Sequence, residues 1–568
     1  MKTIVFTLAL FFNGAAIATA QSPPPAGVTI PPNAPQRLEQ TIPTPSESPS
    51  PLPPPTSTPP PRLTIPATPS PPEPSVSQGE QFFIKKVEVS GNTVLQREIT
   101  ALVKQYEGKK ATFEDILNLR AKITQLYTDA GYITSGAFLL NNQALDQGIV
   151  RIKVVEGELE QIEISGLTRL RDRYVRSRLE RATKPPLNRR PLEEALQLLQ
   201  LDPLIAQVNA ELTAGTAPGR NRLRVSLREA PPFHAGVAIA NDQSPSIGEV
   251  SGSVFASHDN LLGFGDRLTA NYSRTEALDL YNFSYTVPFN SLNGTASISY
   301  GNNASEIIEE PFQDLGIRSK TRTLSFSVRQ PVQRSPRSEF ALGVGLDLRR
   351  SQTFILDDIP FSFSEGPDNG ESKVTVIRFF QDWTNRGSTR VLAARSQFSF
   401  GINAFDATIN DIGTDGRFFS WLGQFQWVQQ VSPRVVLISR LAAQLTPDSL
   451  LSLERFSLGG VDTVRGYRQN QLVSDNGVVG SLELRIPLTN NPSILQLTPF
   501  VEVGSGWNNR GVNPDPQTIA SLGVGLRWLI SPGFDVRVDY GIPLVSIDQS
   551  GNSLQDSGIY FSLRYQPF

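Results

Sequence analysis

Side chains that could perform acid–base or nucleophilic chemistry are scarce in this sequence. The string Ser257-His258-Asp259 contains the three side-chain types of a hydrolase triad. Triad members come together in space from separate parts of a chain, however, whereas these three are consecutive and lie at a predicted strand end before a turn. We therefore do not expect a hydrolytic site, and the sequence indicates a protein that is not an enzyme.

The composition excludes several other classes of site. The 568 residues include no cysteine and only two histidines, His234 and His258, so we expect neither thiolate chemistry nor a histidine-based metal site. The string Gly343-Val344-Gly345 lacks the lysine and the following helix of a phosphate-binding loop. A net charge of −2 provides no basic field for nucleic acid. We expect no metal, no cofactor and no nucleic-acid partner.

One further string could carry a specific interaction, namely Val464-Arg465-Gly466-Tyr467. A guanidinium taken out of water needs a carboxylate partner, and its planar fork pairs best with a carboxylate held on a rigid element. Gly466 would let the backbone turn tightly beside it. An isolated string of this kind is equally compatible with an ordinary surface turn, so its meaning depends on the elements around it.

Residues 1–20 predict a secretory signal peptide. Lys2 supplies the positive start, Ile4 to Phe12 form a short apolar run, and Ala18-Thr19-Ala20 precede the cleavage site. The apolar run is about half of the roughly 20 residues that a membrane-spanning helix needs. We expect the protein to leave the cytoplasm and to enter a membrane, if at all, as a closed barrel.

Residues 21–80 are rich in proline, serine and threonine, and positions 22–78 hold 21 of the 45 prolines. Such a segment lacks backbone donors and apolar mass, so we expect it to remain a disordered linker that does not pack. Gln36 to Gln40 could form a short helical island, but nothing in it argues against the linker.

Two copies of a small α/β unit follow, at residues 81–157 and 158–230. In each copy the spacing of the apolar residues predicts the order strand, helix, helix, strand, strand. The copies begin with the same phrase, at 84–91 and 159–166, which indicates an internal repeat of about 75 residues.

From residue 231 to residue 568 the sequence changes to alternating strands, one face large and apolar and the other small, polar or charged. A soluble sandwich also alternates, but these segments are about 10 residues or longer, as a tilted membrane strand requires. Charges on the polar face, such as Arg329, Asp347, Arg440 and Arg485, suit a wet lumen better than a dry core. We predict a sixteen-stranded antiparallel transmembrane β-barrel, with eleven strands before Val464 and five after it.

At this point the layout resembles the two-partner secretion transporters (TpsB family), which export haemolysins and filamentous haemagglutinins. The resemblance covers residues 82–568. It implies two periplasmic POTRA domains of βααββ topology, followed by the barrel, whose loop 446–477 folds back into the lumen. Three strings carry it: Phe456-Ser457-Leu458-Gly459-Gly460 with Val464-Arg465-Gly466-Tyr467, Asp259-Asn260-Leu261-Leu262-Gly263-Phe264-Gly265-Asp266, and Gln381-Asp382-Trp383-Thr384-Asn385-Arg386-Gly387.

In this family the loop arginine meets an acidic residue within an F-x-D-x-G phrase on the thirteenth strand. The matching phrase here is Phe500-Val501-Glu502-Val503-Gly504, with glutamate in place of aspartate. The resemblance therefore implies an ion pair between Arg465 and Glu502. It places Gly459 and Gly460 in the same loop, and Phe500 and Gly504 beside the acidic residue.

The resemblance also implies how a substrate binds. The POTRA domains would capture an unfolded exoprotein by adding it as a strand to an exposed sheet edge. The implied partners are this exoprotein, outer-membrane lipid and, through the C-terminal Phe568, the barrel-assembly machinery; we expect a monomer in the outer membrane of a Gram-negative-type bacterium. The expected edge comprises Ile133, Thr134, Ser135, Gly136, Ala137, Phe138, Leu139 and Leu140.

Two other functions remain compatible with the sequence. One is an outer-membrane protein assembly or insertion factor of the same superfamily, which would share the loop motif but usually carries a different number of POTRA domains. The other is a passive porin with the α/β units as scaffold. The two α/β units and the proline-rich N-terminus favour export.

Overall fold

The computed structural model covers most of the α/β units and of the barrel. The expected signal peptide at 1–20 and the terminal Phe568 lie outside the part that it describes. The described residues are 30–31, 33–41, 62–64, 81–140, 143, 147–547 and 551–567.

Two pieces of the proline-rich segment are ordered, so the prediction that residues 21–80 do not pack is wrong there. Helix α1 (Ala34–Glu39) has a proline in its first turn, where the fixed φ angle of proline suits a helix. The helix buries Ala34 and Leu38. Strand β1 (Arg62–Thr64) pairs with the second α/β unit, and Leu63 packs against that unit's core. Each piece packs its apolar side chains against a surface formed by distant parts of the chain. The composition of the segment alone does not predict such a contact.

The first α/β unit has a three-stranded sheet covered by two helices. Thr112 begins the longer helix with a capping box, because its side chain and that of Asp115 bond each other's backbone N–H. The sheet order is β3-β6-β5, which leaves β5 at an edge. The elements are β2 (Phe82–Ile84), β3 (Lys86–Ser90), α2 (Gln96–Val103), β4 (Lys109–Ala111), α3 (Phe113–Asp129), β5 (Gly136–Leu139) and β6 (Ile149–Val155).

The second α/β unit repeats this topology. Its first and third strands are parallel and its second and third antiparallel, as in the first unit. The sheet order is β1-β8-β9-β7, so that β1 covers the edge that β8 would otherwise expose. The elements are β7 (Glu158–Ser165), α4 (Asp172–Ala182), α5 (Arg189–Gln200), β8 (Ile205–Ala214) and β9 (Arg220–Glu229).

A carboxylate closes the same corner in both units. Glu156 accepts hydrogen bonds from the backbone N–H of Thr93 at 2.7 Å and of Val94 at 3.1 Å, and from the Tyr127 hydroxyl at 2.8 Å. Glu229 holds the equivalent turn of the second unit through three consecutive N–H groups, those of residues 168–170. The repeated phrase at 84–91 and 159–166 therefore leads into the same carboxylate-held turn twice.

The remaining strands form a closed antiparallel barrel of sixteen long strands, which confirms the predicted fold and strand number. The barrel closes where Val237 to Ala240 pair with Ser562 to Tyr565. The strands are β10 (Phe233–Ala240), β11 (Ser251–Asp259), β12 (Arg267–Arg274), β13 (Leu278–Pro288), β14 (Thr295–Glu306), β15 (Arg318–Arg334), β16 (Ser338–Ile355), the two-residue β17 (Ile359–Pro360), β18 (Glu371–Arg386), β19 (Arg390–Ile402), β20 (Phe418–Gln430), β21 (Val436–Leu445), the loop strands β22 (Phe456–Leu458) and β23 (Leu472–Ser474), and then β24 (Asn476–Pro487), β25 (Leu495–Trp507), β26 (Thr518–Ser531), β27 (Phe534–Pro543) and β28 (Ile559–Tyr565).

The outer wall of the barrel is apolar and the lumen is polar. On β25, for example, Val501 and Val503 are about half exposed, whereas Glu502 between them is buried on the inside. This period of two is the pattern expected where the outer face meets lipid. Among the residues that the structure describes, no helix is long and apolar enough to cross a membrane.

The carboxylate-held turns make the α/β units sensitive to acid. Burial raises the pKa of the Glu156 carboxyl, but the hydrogen bonds from Thr93, Tyr127 and Val94 outweigh it, so the net pKa lies below its usual range. The stabilisation is therefore complete above the unfolded pKa of about 4.3 and is lost as the pH falls through the lower, folded pKa.

We expect Glu156→Gln to lower the hydrogen-exchange protection of the Thr93 and Val94 amides roughly fivefold at pH 7, because both N–H groups would then donate to a neutral amide oxygen, and a hydrogen bond to a carboxylate is about twice as strong. We also expect the variant's protection to change less than the wild type's as the pH falls towards 3. Glu98→Gln, on an exposed position of α2, is the control and should change neither quantity. Equal protection of these amides in Glu156→Gln and the wild type would contradict the role of this carboxylate.

Candidate functional site

The loop between β21 and β24 (residues 446–475) folds into the lumen as a hairpin, which we call the lumenal loop. Its stem is the pair β22 and β23, and two consecutive glycines beyond β22 turn the chain towards the tip. Gly459 and Gly460 have φ angles of +106° and +92°, and a Cβ on Gly459 would lie 2.5 Å from the Arg468 carbonyl oxygen. Only glycine fits this turn without strain.

At the tip of the lumenal loop, Arg465 is buried against the barrel wall. Its Nε lies 3.0 Å and 3.2 Å from the two carboxylate oxygens of Glu502. Its own backbone N–H also donates to Glu502, at 2.7 Å. Because Arg465 is 1% exposed and Glu502 4%, the pair is shielded from water and each charge depends on the other.

The phrase Phe500-Val501-Glu502-Val503-Gly504 places three residues on the inner face of β25, the thirteenth barrel strand. The Arg465 guanidinium stacks over the Phe500 ring at 3.4 Å from its centroid. A Cβ on Gly504 would lie 2.9 Å from Leu458 and 3.3 Å from Val464. Phe500 therefore stacks on the arginine and Glu502 pairs with it. The absence of a side chain at Gly504 leaves room for the apolar part of the loop.

Two further carboxylates approach Arg465, and the sequence reasoning missed both. Glu483 on β24 and Asp539 on β27 lie 3.3 Å and 3.1 Å from its Nη1. Arg485 and Arg537 also contact these two acids, at 3.2 Å and 2.6 Å. The period-two pattern placed Arg485 on the lumenal face, and the same pattern would have placed Glu483 there, two residues away.

This arrangement is a charge-balanced cluster of three arginines and three carboxylates, which we call the wall cluster (Arg465, Glu483, Arg485, Glu502, Arg537 and Asp539). Only Arg465 comes from the loop; the other five are on barrel strands. Removing one member of a buried ion pair leaves an uncompensated charge, at a cost of about 3–5 kcal/mol. Because the wall side carries more acid than base without Arg465, the wall is complementary to the loop tip.

The residues beside Arg465 hold the loop backbone. The Gly466 N–H donates to the Tyr560 hydroxyl at 2.9 Å, and the Tyr467 hydroxyl lies 2.8 Å from the Ala520 carbonyl oxygen and 2.9 Å from that of Val545, to one of which it donates. Gly466 has a φ of +98°.

The other side of this contact is Gly541 on β27, where a Cβ would lie 2.6 Å from the Gly466 nitrogen. The sequence did not predict that Tyr560 and Gly541 belong to the site, because they have a role only through their position opposite the loop.

Helix α1 lies beside the lumenal loop at the barrel end away from the α/β units. Asn470 Nδ2 donates to the Gln40 carbonyl oxygen at 2.9 Å, and Arg455 Nη1 lies 2.7 Å from Glu39 Oε1. Ala34 and Leu38 pack with apolar residues of two neighbouring barrel loops. The loop and the helix therefore contact each other at this end of the lumen.

The eight residues expected to form the binding edge separate into two groups. Ile133, Thr134 and Ser135 were predicted to be strand, which is wrong. They precede the strand and form the joint between the units, with the Ser135 hydroxyl accepting the Gly157 N–H at 2.9 Å. Turn geometry after Tyr132 overrides the strand propensity of these residues.

Strand β5 comprises Gly136, Ala137, Phe138 and Leu139, and Leu140 follows it. Its one neighbour in the described sheet is β6, so its other edge is unpaired there. Phe138 and Leu140 are 46% and 41% exposed.

The string Ser257-His258-Asp259 is part of a docking contact and not a triad. His258 Nε2 lies 3.0 Å from Arg169 Nη1 of the second α/β unit, and the turn that follows places Phe264 under the Arg171 guanidinium at 3.8 Å. The Arg171 N–H donates to the Gly263 carbonyl oxygen at 3.0 Å. The turn at residues 259–266 therefore fastens the second α/β unit to the mouth of the barrel.

Together these features define an outer-membrane β-barrel transporter that carries periplasmic α/β domains and an inward-folded loop. The chain matches the family model described as haemolysin secretion/activation protein ShlB/FhaC/HecB over residues 219–528, and a POTRA domain of ShlB type over residues 82–157. Since the first match covers more than half of the chain, the protein belongs to this family of two-partner secretion transporters. Members secrete partner exoproteins across the outer membrane and hold their POTRA domains in the periplasm.

Individual relatives agree with this assignment. The chain is 25% identical over 477 residues to the outer membrane transporter CdiB of Dickeya dadantii, covering 80% of this chain and 82% of CdiB. It is 22% identical to the outer membrane protein assembly factor BamA of Nitratidesulfovibrio vulgaris, covering 85% of this chain but 62% of BamA. The solved structure of CdiB from Escherichia coli superimposes with a TM-score of 0.66 at 24% identity, covering 88% of this chain and 93% of CdiB.

We expect Gly541→Ala to displace the loop tip without removing any charge. The added methyl would lie 2.6 Å from the Gly466 nitrogen and 2.7 Å from the Arg465 carbonyl carbon, both of which are backbone atoms. The conductance of the purified protein in planar lipid bilayers should rise.

The matched control is Gly345→Ala, a lumenal strand glycine whose added methyl would meet its nearest atom at an ordinary 3.5 Å. If Gly541→Ala conducts like the wild type, the close contact between loop and wall is not what keeps the lumen closed.

Proposed function

We propose that the lumenal loop is the gate of this transporter and that the wall cluster holds the gate shut. The observation that carries the proposal is the burial of Arg465 among three carboxylates of the barrel wall. A loop held only by contacts with water could move at little cost in free energy. Movement of this loop breaks a buried ion pair and exposes its charges to solvent. An exoprotein crossing the lumen therefore requires that the loop tip leave the wall.

The lumen beneath the loop is suited to an extended polypeptide. It contains a cavity of about 400 Å³ whose lining mixes polar side chains such as Asn282 and Gln397, charged ones such as Asp347, and apolar ones such as Phe380 and Leu422. Such a surface offers hydrogen bonds to any passing backbone and binds no particular side chain tightly. We propose that no catalytic reaction accompanies transport and that folding of the exoprotein outside the cell draws it through.

We propose β5 of the first POTRA domain as the capture edge. The strand has no strand neighbour on one side in the described sheet, and the Ala137 N–H, which donates to the Thr124 hydroxyl at 3.0 Å, would exchange this partner for a substrate carbonyl. The exposed Phe138, with Leu140 beyond the end of the strand, offers apolar contacts to a substrate strand. Main-chain hydrogen bonds of this kind tolerate many sequences, while side-chain contacts add selectivity. The corresponding edge of the second POTRA domain is covered by β1.

The same proposal covers biogenesis and assembly state. We propose that the transporter is a monomer in outer-membrane lipid, inserted by the barrel-assembly machinery through its C-terminal residues, including Phe568. The similarity to BamA, which spans most of this chain, makes membrane-protein insertion the competing function. Two POTRA domains followed by a plugged barrel favour export, and the experiments below separate the two.

We expect Arg465→Ala to cripple secretion of the exoprotein while the barrel still inserts. Without the guanidinium, Glu502 has no cationic partner in the wall cluster, while Arg485 and Arg537 still pair with Glu483 and Asp539. The loop tip is then held less firmly, so the gate no longer alternates between two defined positions. Secretion is measured in the culture medium after co-expression with an exoprotein encoded beside this chain, and insertion by the heat-dependent gel shift of the barrel.

The control is Arg274→Ala at an exposed position of the barrel rim, where the side chain is 65% exposed. Wild-type export by Arg465→Ala would refute the proposed gate, and unchanged export together with defective insertion of other outer-membrane proteins would favour the assembly factor.

We expect Phe138→Asp to reduce secretion severalfold without affecting insertion, because a charge on β5 weakens an apolar substrate contact and leaves the barrel untouched. Phe83→Asp is the matched control, since Phe83 is 49% exposed in the same domain but is not on β5. Deleting residues 82–230 should abolish secretion. Intact secretion by the deletion would contradict capture by the POTRA domains altogether.

A further inference from the structure

A second charged residue of the lumenal loop is as deeply buried as Arg465 but lies at the other end of the hairpin. Glu454 ends the single-turn helix Ser452–Glu454, immediately before the stem strand β22, and is 1% exposed. It takes no part in the wall cluster, and its partners are on a different part of the barrel. A buried carboxylate at this depth needs cationic partners.

Two arginines of the barrel wall hold the Glu454 carboxylate. Arg378 Nη2 lies 2.9 Å from each carboxylate oxygen, and Arg349 Nη1 lies 2.9 Å from Oε1. Arg378 is itself held in place, because its Nη1 donates to the Ser399 hydroxyl at 2.7 Å and its Nε pairs with Asp347 at 2.5 Å. The fork of Arg378 is thus fixed by two wall residues and presents its Nη2 to the loop.

The backbone and the apolar side chains of the same turn contact the same wall. Gln444 Nε2 donates to the Glu454 carbonyl oxygen at 2.9 Å, and Arg349 also donates to the Leu453 carbonyl oxygen. Leu450, Leu451 and Leu453 form a buried cluster with apolar residues of β18 and β20. The loop is therefore attached to this wall by ion pairs, by hydrogen bonds to its backbone and by apolar packing. Glu454 is the charged group that the loop contributes.

The two attachments lie on different walls and have opposite polarity. Arg349 is on β16 and Arg378 on β18, the seventh and eighth barrel strands, whereas Glu502 is on the thirteenth. At one wall the loop contributes a cation to fixed carboxylates, and at the other it contributes a carboxylate to fixed cations. The hairpin consequently spans the lumen between them.

We propose that Glu454 is a positioning residue of the gate, a second anchor that keeps the lumenal loop across the lumen even when Arg465 has left the wall cluster. This proposal rests on the proposed function of the loop as the gate. Arg468 near the tip is also buried and pairs with Glu309 and Asp556, so the loop leaves the lumen only when this pair and the ion pairs of Arg465 and Glu454 are all broken. A fluctuation that breaks one pair leaves the loop tethered by the others, so that the pair can form again.

The reversed polarity also sets the orientation of the hairpin. If the hairpin turned round, Arg465 would face Arg349 and Arg378, and Glu454 would face Glu483 and Glu502. Like charges at these burial levels repel strongly because little water screens them. The two anchors together therefore allow a single resting position, whereas either one alone would fix only one end.

The test measures the position of the loop directly and needs no exoprotein. Because the chain contains no cysteine, spin labels can be attached to cysteines introduced at Asp462, near the loop tip, and at the exposed Arg510 of another barrel loop. The distance distribution between the labels is recorded for the wild type, Glu454→Gln, Arg465→Ala and the double variant. Glu276→Gln, at an exposed position of a barrel loop, is the control.

We expect each single variant to keep most molecules at the wild-type distance and the double variant to show a roughly tenfold or larger rise in the displaced fraction. Glu454→Asp, which keeps the carboxylate, should hold the displaced fraction in the Arg465→Ala background close to the single-variant level. If Glu454 acted through its shape alone, the nearly isosteric Glu454→Gln would instead be the milder variant.

Two results would overturn the proposal. One is full displacement of the loop in Arg465→Ala alone, and the other is a double variant that behaves like Arg465→Ala. A double variant with a displaced loop but normal secretion would support Glu454 as a second anchor of the loop. The same result would refute the proposal that the loop is the gate.

Discussion

Buried charge inside the barrel must be paired, and this requirement organises the lumen. The Arg465 guanidinium is almost fully withdrawn from water, so it is stable only where carboxylates are held at the right distance by something rigid. The strands β24, β25 and β27 supply that rigidity, because each is hydrogen-bonded on both sides in a closed sheet. The loop itself has no such support, and its resting position follows from the wall.

Several other features serve this one interaction. Glycines at 504 and 541 leave room for the loop on the wall side, and those at 459, 460 and 466 let the loop backbone turn. Phe500 lies flat against the guanidinium. Helix α1 then packs beside the loop through Glu39 and Arg455, so a segment from the start of the chain meets one from near its end.

Much of this arrangement could be predicted from the sequence, and the reasons are local. The period of two in the strands gave the sixteen-stranded barrel, because each residue of a membrane barrel faces either lipid or the lumen. The spacing of apolar residues gave the helices of the two α/β units. Errors arose where a contact partner lies far away in the chain. Helix α1 and strand β1 are short and proline-flanked, and they are ordered only because a distant surface accepts their apolar side chains.

The sequence by itself therefore determined most elements of the two α/β units, how many strands close the barrel and which residue types face its interior. It paired Arg465 with Glu502 only through resemblance. Only the tertiary structure decided that Glu483 and Asp539 also reach Arg465, that Glu454 is held by Arg349 and Arg378, and that Ile133 to Ser135 form a joint. The physical reason is that alternation and periodicity act between neighbours in the chain. The pairing of buried charges depends on which strands meet across the lumen, and that is known only when the barrel has closed.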